Sequence, residues 1–160
     1  MPTRTAVKTD QAPPPLPFYS QAIICNGMVY CSGSIGMSPE TKTLIEGGIA
    51  DRTTQCLKNL SAVLEEAGSS LQNCVKVNVY LTDMTNFAAM NKVYDSFFEE
   101  PKPGRTCVAV HELPLRTDVE IECVAHLQSS KNIWLLRSEA GEVEQVSPPA
   151  QARIPFVGDF

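Results

Sequence analysis

The stretch from Pro103 to Leu127, PGRTCVAVHELPLRTDVEIECVAHL, constrains this chain more than any other. It reads as two strands joined by a loop. Val108 and Val110 alternate with Cys107, Ala109 and His111; beyond the break at Leu113-Pro114, Val119, Ile121, Cys123 and Ala125 alternate with Glu120, Glu122 and Val124. Alternation of period two sends successive side chains to opposite faces of a sheet. Arg105 therefore shares a parity with Cys107, while Glu120 and Glu122 take the parity opposite to Val119 and Ile121. One guanidinium and two carboxylates decorate strands whose other face has the make-up of a core. Taken alone, the pattern equally fits a plain antiparallel sheet with one solvated face.

The rest of the chain supplies the partners such strands need. Residues 1–15 read as an N-terminal arm, because Pro13-Pro14-Pro15 favour extended backbone and lack ladder donors. Ile23-Ile24-Cys25 and Met28-Val29-Tyr30-Cys31 flank Asn26-Gly27, the pair suited to a tight hairpin turn with two positive φ angles. Ser32-Gly33 ends that hairpin, and a looser connection with Pro39 and Gly47-Gly48 follows. Ile49, Cys56, Leu57, Leu60, Val63, Leu64 and Ala67 repeat at helical spacing, with Gly68 placed to stop the helix. Val75, Val77, Val79 and Leu81 then alternate with Lys76, Asn78 and Tyr80 as a third long strand. A second helix, capped by Asp83 or Thr85, carries Phe87, Met90, Tyr94, Phe97 and Phe98, aromatic residues expected in the core. Hairpin, helix, strand, helix, strand, strand is an α+β order with two helices covering one sheet face. The uncovered face presents Asn78, Tyr80, Glu120 and Glu122.

Composition excludes several classes. The 160 residues suit one domain with a real core, and 43% hydrophobic with 19% charged residues is ordinary for a globular protein. A net charge of −5 without a basic run argues against a nucleic-acid partner. Six cysteines without a C-x-x-C spacing read as reduced and mainly buried, and only two histidines make a zinc site improbable. No apolar run is long enough for a membrane span. No G-x-S-x-G elbow, H-E-x-x-H pair or phosphate loop is present, and Cys107 has no convincing base beside it.

PGRTCVAV followed by LP and DVEIECVA resembles the signature of the reactive-intermediate deaminase (Rid, YjgF-type) family. YSQA from Tyr19, VYCSGSIG from Val29 and VKVNVYLTDM from Val75 resemble it too, in family order and spacing. The resemblance covers residues 16–127, which sets an expected domain there and leaves residues 128–160 as a C-terminal extension of unassigned role. It implies a chorismate-mutase-like fold, one mixed sheet with two helices on one face, assembling as a homotrimer with sites at the subunit boundaries.

It also implies hydrolysis of enamine and imine intermediates such as 2-aminoacrylate to 2-keto acids and ammonia, without cofactor or metal. Carried over by position, Arg105 binds the substrate carboxylate, Glu120 orients or deprotonates the water, and the Cys107 backbone lines the site. Tyr19 closes the pocket mouth, and Ser32, Gly33 and Asn91 support it. Two positions depart from the family: Phe18 stands where Pro precedes the tyrosine, and Gly104 where Ala precedes the arginine. A non-catalytic small-molecule-binding or regulatory module is the alternative, and an RNA-cleaving relative a weaker one. The expected location is cytoplasmic, with mitochondria as the alternative.

Overall fold

The computed structural model describes residues 3–128. Seven strands and two helices follow in the order β1 (Thr5–Val7), β2 (Ala22–Cys25), β3 (Met28–Cys31), β4 (Ser34–Ile35), α1 (Ile49–Glu66), β5 (Cys74–Leu81), α2 (Phe87–Asp95), β6 (Gly104–Ala109) and β7 (Val119–His126). The strands form one mixed sheet ordered β1-β2-β3-β7-β5-β6, with β4 also pairing β7. Only β5 and β6 run parallel. The expected α+β arrangement is present, and the Trp134 region of the extension lies outside the described residues.

Local chemistry explains the elements. Asn26 and Gly27 take φ of 52° and 75°, the turn that lets β2 and β3 pair without splaying. Along α1 the residues Cys56, Leu57, Leu60, Val63 and Leu64 are buried, and Gly68 at φ 78° stops the helix. Each such aliphatic side chain contributes roughly 1.5–3 kcal/mol when fully buried. α1 lies on β7, β4 and β3 and against α2. Its first turn is pinned to the start of β7 by Arg52, whose Nε and Nη2 donate to the two Asp118 oxygens at 2.6 and 2.8 Å. Val77, Val79 and Leu81 of β5 and Val119, Ile121, Cys123 and Ala125 of β7 fill the layer beneath the helices.

Three expectations are corrected. The N-terminal segment is not a free arm, since Thr5–Val7 precede the prolines and pair with Ile24, Ile23 and Ala22. The buried Gln21 side chain then ties down the proline run. Its Oε1 accepts from Thr9 N at 2.8 Å, and its Nε2 donates to Thr9 O at 3.0 Å and Pro13 O at 2.9 Å. The strand after Gly104 ends at Ala109, so His111 is not on it, and Val108 pairs with Tyr80 on the uncovered side and is 41% exposed. Finally, α2 ends at Asp95; Met90, Tyr94 and Phe98 are core residues, whereas Phe87 is exposed.

The Gln21 clamp generates a prediction. Gln21→Ala removes the partner of the Thr9 amide and of three carbonyls, those of Thr9, Ala12 and Pro13, and an unsatisfied buried group costs about 1–3 kcal/mol. The variant should unfold at lower denaturant concentration. Amide exchange of Thr5–Val7 should rise well ahead of exchange in β5 and β7. Unchanged protection at β1 would show that strand pairing alone holds the segment.

Candidate active site

The residues singled out by sequence fall into two groups, one on each side of the sheet. Paired residues of neighbouring strands point to the same side, so register assigns each side chain. Arg105 pairs with Val77 and Cys107 with Val79, and both valines lie under the helices. Glu120 pairs with Tyr80 and Glu122 with Asn78, on the uncovered side. A single chain therefore does not bring Arg105 and Glu120 into one cleft.

The first group gathers around a bulge. Tyr30 pairs with Val124, whereas Ser34 pairs with Ile121, so four steps on one strand oppose three on the other. The extra residue at Ser32-Gly33 is what joins β3 to β4, where the sequence suggested that the hairpin simply stopped. Bulges re-aim side chains and concentrate beside functional sites. Here the bulge gives Glu120 its space, because a Cβ on Gly33 would overlap the Glu120 carboxylate. Ser32 Oγ donates to Ser20 O at 2.7 Å and its amide to Gln21 O at 3.0 Å, which fixes the segment carrying Tyr19. The Tyr19 ring stands 5.7 Å from that of Phe18, which is 81% exposed. Tyr19, Ser32 and Gly33 line a cavity of about 460 Å³ with Ile35, Met37 and Leu60.

Glu120 and Glu122 share a face but not an environment. Glu122 Oε1 accepts from Asn78 Nδ2 at 2.8 Å and from Tyr80 OH at 2.9 Å. Glu120 accepts no such bond among the described residues. Partial burial pushes its carboxyl above the usual carboxylate range, and the Glu122 charge pushes the same way. A carboxyl moved toward neutrality is suited to taking and returning a proton.

The second group is built on β6 and α2. Arg105 Nη1 donates to Asn91 Oδ1 at 2.7 Å, so Asn91 serves the guanidinium rather than solvent. The guanidinium carbon stands 4.7 Å from the centroid of the Tyr94 ring and 5.8 Å from that of Phe87. Sequence reasoning missed both aromatic partners; the signal was the 87, 91, 94 spacing, one face of a helix. Beside them the Cys107 thiol is pushed up by burial, with Arg105 pulling the other way, so it is a protonated thiol and a poor nucleophile. Among the described residues, no group of three or more His, Cys, Asp and Glu side chains could hold a metal ion.

A family model described as Endoribonuclease L-PSP matches residues 9–127. The chain is 54% identical over 110 residues to Protein mmf1, mitochondrial, of Schizosaccharomyces pombe, covering 67% of each chain. It is 38% identical over 124 residues to Reactive Intermediate Deaminase A, chloroplastic, of Arabidopsis thaliana, covering 78% of this chain and 66% of that one. The crystal structure of yeast Mmf1 superposes with a TM-score of 0.77 at 44% identity, over 79% of this chain and 100% of that one.

Glu120 makes stability depend on pH in a definite direction. Its folded-state affinity for a proton exceeds that of an unfolded glutamate, so its contribution is fully present below the unfolded value near pH 4 and is lost as pH rises through the folded value. Glu120→Gln carries no such penalty. The variant should be more resistant to urea than wild type at pH 7, with the difference closing toward pH 4. An advantage of equal size at both pH values would mean that burial of the charge is not its origin.

Proposed function

The chain belongs to the YjgF/Rid family, and from that premise we propose that it hydrolyses 2-imino acids, including those formed from 2-aminoacrylate, to 2-keto acids and ammonium. The observation that carries this reading is the presentation of Arg105. Its bond to Asn91 uses Nη1 and leaves Nε and Nη2 as a two-donor edge, the geometry that grips a carboxylate bidentately. Glu120 then supplies proton transfer. Since the two lie on opposite faces of one chain, the reading requires Arg105 of one copy to meet Glu120, Tyr19 and Ser32 of another. A homotrimer with sites at its subunit boundaries meets that requirement.

The chemistry follows from these groups. A protonated imine is electrophilic without a cofactor. Water adds to the imine carbon as Glu120 accepts its proton, giving a carbinolamine. Glu120 returns the proton to nitrogen, the C–N bond breaks to release ammonia as the Glu120 carboxylate takes the hydroxyl proton, and ammonia then takes that proton from Glu120, so that keto acid and ammonium depart. Arg105 holds the carboxylate and so the orientation of the carbon against the water, which is a large part of what such a site contributes. The cavity of about 460 Å³ beside Tyr19 is lined from α1 by Leu60 and Val63 and by neither Glu120 nor Arg105, so within one chain it is separate from the groups that carry this chemistry. The relatives named as mitochondrial support that location over the cytosolic expectation. The net charge of −5 speaks against RNA as the substrate, despite the name of the family model.

The test is ammonia release from imines generated by an amino-acid oxidase, with light scattering to give the assembly mass. Arg105→Lys keeps the charge but loses the fork; with one of two charge-assisted bonds gone, kcat/KM should fall about 10- to 100-fold at an unchanged melting temperature. A monomeric mass, or an Arg105→Lys variant as active as wild type, would sink the shared-site reading.

A further inference from the structure

We propose that Tyr94 is a positioning residue of this site: its ring face carries the Arg105 guanidinium and sets the plane of the fork, and Phe87 extends the same platform toward solvent. The inference rests on the reading of Arg105 as the carboxylate anchor.

Phe87, Asn91 and Tyr94 stand at i, i+4 and i+7 of α2 and so share one helix face. All three approach Arg105, at 5.8 Å and 4.7 Å for the rings and 2.7 Å for the amide oxygen. The two kinds of contact constrain different motions. A hydrogen bond from Nη1 fixes a direction within the guanidinium plane but leaves the plane free to tilt about it. An aromatic face beneath the cation opposes that tilt, because the ring quadrupole and the flat contact both favour a cation held over the face. Together they leave one orientation for the Nε and Nη2 edge.

Tyr94 itself argues that the ring is what matters. It is only 6% exposed, yet among the described residues its hydroxyl has no hydrogen-bond partner. A buried orphan hydroxyl is a cost, so no polar contact explains the residue. Burial raises its pKa to about 12, so it stays a neutral phenol and meets Arg105 as an aromatic face rather than as an anion. Its other ring neighbour, Phe98 at 4.5 Å, packs it into the core and makes the platform rigid. Phe87, 36% exposed, has no such burial to account for its place beside Arg105.

The experiment compares Tyr94→Phe, Tyr94→Leu and Phe87→Leu in the full chain, each alone and combined with Arg105→Lys. Steady-state deamination of the alanine-derived and leucine-derived imines gives kcat and KM, calorimetry gives pyruvate affinity, and melting temperature controls for folding. Tyr94→Phe should stay within about twofold of wild type. Tyr94→Leu should lose about 10-fold in kcat/KM and weaken pyruvate binding, within the range expected for a desolvated cation over an aromatic ring. In the Arg105→Lys background the same substitution should cost less than about threefold, because an ammonium has no plane to orient. A purely structural role predicts the same loss in both backgrounds, and that result overturns the proposal, as does equality of Tyr94→Leu and Tyr94→Phe. Should Tyr94→Leu fail to fold, Phe87→Leu decides: a two- to threefold loss at an unchanged melting temperature supports the platform, and no loss overturns it. If wild type deaminates no imine, the deaminase reading falls, and pyruvate affinity still tests the platform through Tyr94→Leu against Tyr94→Phe. Absence of pyruvate binding by wild type overturns both.

Discussion

The strict alternation along β7 is the constraint on which the remainder of the structure depends. Val119, Ile121, Cys123 and Ala125 are at most 3% exposed beneath α1, and Glu120, Glu122 and Val124 face the other way. A slip of one residue would drive both carboxylates under the helices and expose Ile121, so the register is held by the full weight of core burial. β5 is locked to β7 on one edge, with Val77, Val79 and Leu81 in the same core layer. β6 is locked to β5 on the other, so Arg105 inherits the helix side from Val77. The functional groups are thus distributed between the two faces by the packing of residues that have no chemistry of their own.

Much of this was legible in the sequence because it is local. Parity within a strand, the Asn26-Gly27 turn and the 3.6-residue stripe of α1 are all written within a few neighbours of the residues concerned. What escaped notice depends on partners remote in the chain. Three residues of β1 carry no pattern of their own and are held by pairing with β2 and by Gln21, whose side chain reaches Thr9 and Pro13. Val108 alternates like a core residue, yet it pairs with Tyr80 and so takes the face opposite the helices. Placing Arg105 and Glu120 on opposite faces needs the two pairings Val77 with Arg105 and Tyr80 with Glu120, and no parity count within one strand supplies them. The bulge at Ser32-Gly33 is likewise a property of two registers compared.

α2 shows a different limit. Assigning its aromatic residues to the core by type is right for Tyr94, which is buried, and wrong for Phe87. Even where it is right, it is incomplete. A ring has two faces and an edge, and Tyr94 packs against Phe98 while also presenting itself to the Arg105 guanidinium. Counting apolar side chains treats burial as the whole of a residue's role. The helical spacing of Phe87, Asn91 and Tyr94 carried the information, but only a cation brought in from β6 gives that spacing a meaning.

The carboxylates of β7 illustrate how one strand can give two chemically identical groups different surroundings. Glu120 and Glu122 are two residues apart on the same face. The neighbours on β5 distinguish them, since Asn78 and Tyr80 both donate to Glu122, whose charge in turn opposes the ionisation of Glu120. Glu120 has the opposite surroundings, with Gly33 providing room but no donor, and burial adds to the effect of Glu122. The cost of keeping Glu120 partly buried beside a like charge is met by the same ladder that seals the core on the other face. The strand that seals the core is therefore also the one that holds the Glu120 carboxyl above the usual carboxylate range.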